Sequence, residues 1–207
     1  MNRRNAIKNL TLSLGYAVAT PTIMSVLSSC TENVATWKPV FFSEEEQHLV
    51  SNLAAIILPS STIPGALDVN VPQFIDKMYK NIELKVNQNK FKKGASVFAD
   101  RFKDMFGKKV LRGSENEIKK LFVSYFDLAE EEIQHVLKAQ SKEEKYVNEN
   151  DLDTYFMYKF LFSVRYYTLF GYYTSEKIGK EVLSYDPIPG VYKGCIPIEE
   201  IGNAWSL

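Results

Sequence analysis

The chain is poor in cysteine and histidine, with two of each in 207 residues. Two cysteines cannot make a disulfide-built scaffold. Ten glycines and 8 prolines are too few for a collagen-like or Gly/Pro low-complexity chain. An excess of charge of one sign is missing as well, since 25 Lys plus Arg face 25 Asp plus Glu. That balance excludes a strongly basic nucleic-acid binder and an acidic disordered tail. Several chemistry-bearing motifs are absent: the Gly-x-Gly-x-x-Gly of a dinucleotide fold, the Gly-x-x-x-x-Gly-Lys-Ser/Thr phosphate loop, the Cys-x-x-Cys-His of c-type haem attachment and the Gly-x-Ser-x-Gly nucleophile elbow. What remains is 45% apolar and 24% charged, the make-up of a globular chain long enough for one substantial core.

The first thirty residues read as an address. Arg3, Arg4 and Lys8 precede a moderately apolar stretch from Leu10 to Leu27, interrupted by Gly15 and Pro21. A positive segment followed by an apolar one is the layout of an export signal. A permanent membrane span needs roughly 20 predominantly apolar residues, and this stretch is diluted with Ser and Thr. Arg3-Arg4-Asn5-Ala6-Ile7-Lys8 resembles a twin-arginine signal, with Ala6 where Phe is usual. Leu27-Ser28-Ser29-Cys30 resembles a lipobox, in which small residues admit the peptidase and the Cys30 thiol takes the lipid. The sequence thus predicts a signal over 1–29, a tether over 30–41 and a folded region over 42–207. An ordinary secretory signal with a chance Cys is the alternative. The signal holds three positive charges and no negative one, so the remainder carries 22 basic against 25 acidic residues.

Beyond the tether the pattern is helical. Ser43 with Glu46, Ser114 with Glu117, and Asp127 with Glu130 have the spacing of capping boxes, each ahead of apolar residues three and four apart. Phe42 is placed to staple the first helix and Pro59 to stop it. Pro64-Gly65 marks a turn, Pro72 suits the first turn of a helix, and Gly107 ends an amphipathic helix over 90–106. Residues 155–173 hold ten Phe and Tyr and are apolar nearly all round, so this helix is either the centre of the core or partly covered by another chain. Ser184 to Gly190 has two prolines and a glycine and reads as a loop. The expected fold is all-α: a single domain of about six helices with an irregular Pro/Gly-containing C-terminal segment, preceded by an export signal.

Site chemistry is sparse. His48 and His135 each end a Glu-x-x-His segment, the spacing with which helical bundles build di-metal centres. Two further Glu from other helices would be needed, and capping already explains Glu46. Cys195 has no neighbouring base to lower its pKa, so it reads as a buried packing residue.

Two blocks carry a family resemblance. The first comprises Phe42-Ser-Glu-Glu-Glu46, Leu53-Ala-Ala-Ile-Ile-Leu-Pro59, Thr62-Ile-Pro-Gly-Ala66 and Val71-Pro-Gln-Phe-Ile-Asp76. The second comprises Gly171-Tyr-Tyr-Thr-Ser-Glu176, Tyr185-Asp-Pro-Ile-Pro-Gly190 and Tyr192-Lys-Gly-Cys-Ile-Pro197. Together they resemble gluconate 2-dehydrogenase subunit 3, the small accessory subunit of membrane-bound flavin-dependent sugar dehydrogenases. The resemblance implies a chain without catalytic residues or cofactors of its own. It implies a large partner of the glucose–methanol–choline type carrying FAD, and in some assemblies a cytochrome with haem c. Lipid on Cys30 would hold the chain on the periplasmic side of the membrane. The twin-arginine route moves folded proteins, so Arg3 and Arg4 would export the loaded partner together with this chain. Tyr172, Tyr173, Tyr185, Pro187, Pro189 and Tyr192 are the expected partner contacts, or else they close the helical core. Two further readings stand beside this one: a self-sufficient metalloprotein using His48 and His135, and a lipoprotein scaffold with an apolar ligand pocket along 155–173.

Overall fold

In the computed structural model, residues 37–186, 188, 190 and 194–206 are described. Eight α-helices lie among them: α1 (Glu44–Ile57), α2 (Val71–Asn81), α3 (Lys85–Phe106), α4 (Glu115–Ser124), α5 (Glu130–Gln140), α6 (Leu152–Tyr173), and the short α7 (Glu176–Glu181) and α8 (Ile198–Ile201). No strand occurs among the described residues; Ser184 and Trp205 form an isolated parallel bridge. None of the described helices is long and apolar enough to cross a membrane.

Local signals set the helix ends. Ser43 accepts from the Glu46 amide while Glu46 accepts from the Ser43 amide at 2.7 Å, and Ser114 and Glu117 repeat the exchange. These bonds satisfy donors that a helix start leaves orphaned. Pro72 lies in the first turn of α2, and Gly107 closes α3 with φ 68°. Three starts differ from expectation. The first residue of α5 is Glu130, preceded by Ala129, whose amide donates to Glu132 at 3.0 Å, so Asp127 is not its cap. The start of α6 is at Leu152, after a single 3₁₀ turn over Glu149–Asp151, without a side-chain cap. The third helix begins five residues before the expected Lys90, because Gln88 is buried and donates to the Tyr79 carbonyl at 2.7 Å.

The longest aromatic helix, α6, is the hub: α1, α2, α3, α5 and α7 all pack against it. Phe156, Phe160, Leu161 and Val164 are fully buried. The tightest approach is to α3. A Cβ on Gly94 would lie 2.2 Å from the Phe156 carbonyl oxygen and 2.6 Å from the Phe160 Cβ, so only glycine lets the backbones meet. Rings of Phe91 and Phe98 then flank Phe160, with centroids 5.0 and 6.2 Å away.

The compact unit begins at Pro39. Its first residues are fastened by one buried carboxylate. Asp76 on α2 accepts from the backbone amides of Val40 at 2.8 Å and of Phe41 and Phe42 at 2.9 Å. Val40 and Phe41 fall at the end of the expected tether, yet both are held. Phe42 stacks on Phe91, at 5.4 Å between centroids, rather than serving only as a local staple.

Candidate partner-docking face

The residues singled out for metal chemistry stand apart from one another. His48 is half-buried on α1, with Nε2 3.4 Å from the Asn52 amide nitrogen. His135 is exposed on α5, in a shallow surface cleft with Glu131, Glu132 and Tyr158. No group of three His, Cys, Asp or Glu among the described residues is placed to hold a metal ion. The two Glu-x-x-His segments therefore do not assemble a di-metal centre there. Cys195 is exposed and not buried as expected. The described residues on either side, 194–200, are all exposed. Between α3 and α6 the rings of Phe91, Phe98 and Phe160 pack on one another, and Thr154 and Tyr158 of α6 border the shallow cleft at His135.

The segments that suggested a family are fastened to each other in space. Tyr172 is 4% exposed and donates its hydroxyl to the Pro64 carbonyl at 2.7 Å, which ties the C-terminal block to the α1–α2 loop. Burial raises its phenol pKa, so it stays a donor across the working range. Within that loop, Asp68 accepts from the Gly65 amide at 2.7 Å and from the Ser60 hydroxyl; these two bonds hold its carboxyl below the ordinary value. A Cβ on Gly65 would lie 2.4 Å from the Ser60 nitrogen, so the Pro64-Gly65 turn needs its glycine. Beside it, the Phe74 ring lies against Gly171, where a Cβ would come within 2.6 Å. Asp76, from the fourth segment, holds Phe42 of the first.

The expected partner contacts divide accordingly. Of the two readings offered for these residues, Tyr172 takes the core one, with its hydroxyl on the α1–α2 loop. Tyr173, one residue on, is 48% exposed, and Tyr185 is exposed as well. Pro187, Pro189 and Tyr192 lie outside the described residues, as do Arg3, Arg4, Lys8 and Cys30.

Two aromatic residues that the sequence does not single out are also at the surface. Tyr166 is 61% exposed and Phe170 42%. Their rings stack, with centroids 6.0 Å apart and planes at 10°, and Phe170 lies 5.9 Å from Phe74. With Leu169 and Tyr173 they occupy positions i, i+3, i+4 and i+7 of one helix face. The spacing is present in the sequence, but a helix apolar on all sides hides which of its faces is left open.

A family model described as gluconate 2-dehydrogenase subunit 3 matches residues 44–190. The chain belongs to the gluconate 2-dehydrogenase subunit 3 family. The match runs from the first residue of α1 past α7, and so contains both the buried Tyr172 contact and the open face of α6. No curated protein and no solved structure matches the chain.

Proposed function

We propose that this chain is a non-catalytic subunit of a flavin-dependent sugar or sugar-acid dehydrogenase, which it accompanies through export and holds at the membrane. Membership in the subunit 3 family carries the reading, since a family named as a subunit implies other chains of the same oxidoreductase. The fold is in keeping with it: the family's two sequence blocks are used to hold the domain together, through Tyr172 with Pro64 and Phe42 with Asp76, rather than to line a reaction centre. FAD belongs to the large subunit in this scheme, and haem c to a third. Arg3 and Arg4 direct the pair to a route that accepts folded cargo, and lipid on Cys30 retains it on the periplasmic side. The chain after Cys30 carries no positive excess to attract anionic lipid, so acyl chains supply the hold, at about 0.8 kcal/mol per buried CH2.

The test is purification of the full chain from membranes of its native host. An FAD-bearing chain should come down at about one to one. Arg3→Lys with Arg4→Lys should leave both chains on the cytoplasmic side, and Cys30→Ser should release both from the membrane. Recovery of this chain without any flavoprotein would overturn the proposal.

A further inference from the structure

The open face of α6 is aromatic, rigid and uncharged. Tyr166, Leu169, Phe170 and Tyr173 carry no charge, and the exposed Arg165 lies about 100° round the helix from Tyr166. Phe170 is braced from below by Phe74 on α2, itself seated on Gly171. At the far end of α2, the Tyr167 hydroxyl donates to Glu83, which draws the α2–α3 turn against α6. A soluble surface has no use for this arrangement. Large braced rings lose little conformational entropy on contact, which is why such residues dominate binding energy at interfaces. Anchors at i, i+3, i+4 and i+7 are the pattern with which a helix face lies in an apolar groove.

The described ends of the folded unit are held by contacts of their own. The C-terminal segment folds back on the end of α7: the Ser184 amide donates to Ala204 at 2.9 Å, the Ser206 amide to Ser184 at 2.8 Å, and Asn203 to the Val182 carbonyl at 2.7 Å. At the other end, Val40–Phe42 are held by Asp76, which lies two residues, about 200°, round α2 from Phe74. Both ends of the described unit thus leave the stripe clear, while family membership supplies a partner chain that needs a contact surface.

We propose that the face built by Tyr166, Leu169, Phe170 and Tyr173 of α6, with Phe74 beside it, docks the flavin-bearing subunit by lying in an apolar groove on it. This rests on the functional reading above. Tyr166 and Phe170 are the central anchors.

The experiment uses the tagged full chain expressed with its partner in the native host, reading flavin recovered per chain. Tyr166→Glu and Phe170→Glu should each lower recovery about tenfold or more, as loss of a central aromatic anchor does. Met105→Glu, at a 54% exposed position on α3, should leave it unchanged. Unfolding of the same proteins by circular dichroism should stay close to wild type for Tyr166→Glu, the more exposed position. Wild-type recovery of flavin that survives both stripe substitutions overturns the docking face and leaves the functional reading standing. Absence of flavin from the wild type overturns both. Stripe variants that keep flavin but convert a dimer into a monomer assign the face to a second copy, which also overturns the proposal.

Discussion

Tyr155 and Tyr166 share one face of α6, eleven residues and about three turns apart. Tyr155 is 2% exposed and Tyr166 61%. The difference comes from what lies opposite. The end of α5 covers the first half of the helix: the Tyr155 hydroxyl donates to the Lys142 carbonyl at 3.2 Å, Lys159 donates to Gln140 at 2.9 Å, and Gln140 donates back to the Tyr155 carbonyl at 3.1 Å. Among the described residues, no element crosses the same face of the second half. This one face of a helix of nearly uniform composition therefore serves as core along its first turns and as surface along its last, while Thr168 and Tyr172 on the other side stay buried. Exposure here is decided by neighbours distant in sequence.

Substitutions in the two halves should separate them by a wide margin. Phe160→Ala in the covered half removes a fully buried ring between Phe91 and Phe98 and should cost about 3–5 kcal/mol by denaturant unfolding. Phe170→Ala in the open half should cost about 1 kcal/mol or less; equal losses would break the distinction. Next come the glycines. Gly94→Ala pushes a methyl into the Phe156 backbone and should destabilise by about 1–3 kcal/mol, although alanine favours helix by about 1 kcal/mol. Gly171→Ala meets the ring of half-buried Phe74 rather than backbone atoms, so its cost should be smaller.

Hydroxyl deletion gives a finer cut. The Tyr158 hydroxyl donates to the Tyr125 carbonyl at 2.9 Å, and burial holds its phenol pKa up. Tyr158→Phe should cost about 1 kcal/mol, while Tyr166→Phe should leave the melting temperature unchanged. The smallest effect lies outside both halves. Glu117 in the α4 capping box is held down at about 2 from an ordinary 4.5, first by the Lys108 ammonium and then by the Ser114 amide and hydroxyl. A depressed carboxylate contributes stability above its ordinary pKa and loses it as pH falls through the folded value. The gap in melting temperature between wild type and Glu117→Gln should therefore be constant above about pH 4.5 and close toward pH 2.

Features written in local chemistry were legible in the sequence. The capping boxes at Ser43 and Ser114, the stop at Pro59, the Gly107 terminus and the all-helical character each depend on a few adjacent residues. Contacts across the fold were not. Tyr172 and Tyr173 are indistinguishable as neighbours in a sequence, and only the position of Pro64 decides which one is core. Asp76 reads as an ordinary surface carboxylate on an amphipathic helix until the amides of Val40, Phe41 and Phe42 are brought to it. The early start of α3 escaped notice because it depends on Gln88 reaching the Tyr79 carbonyl. The spacing of Tyr166, Leu169, Phe170 and Tyr173 was visible, but its exposure depends on where α5 ends.

In the proposed lipid-anchored form, the Asp76 clasp would also set the length of a leash. With lipid on Cys30, eight residues separate the anchor from Pro39, a reach of at most about 30 Å when fully extended. Were the clasp to open, the segment to Ser43 would pay out and add about 13 Å. By gripping three successive amides with one carboxylate, the domain would, in the proposed lipid-anchored form, limit how far from the bilayer it ranges, and a chain docked on α6 would inherit that radius.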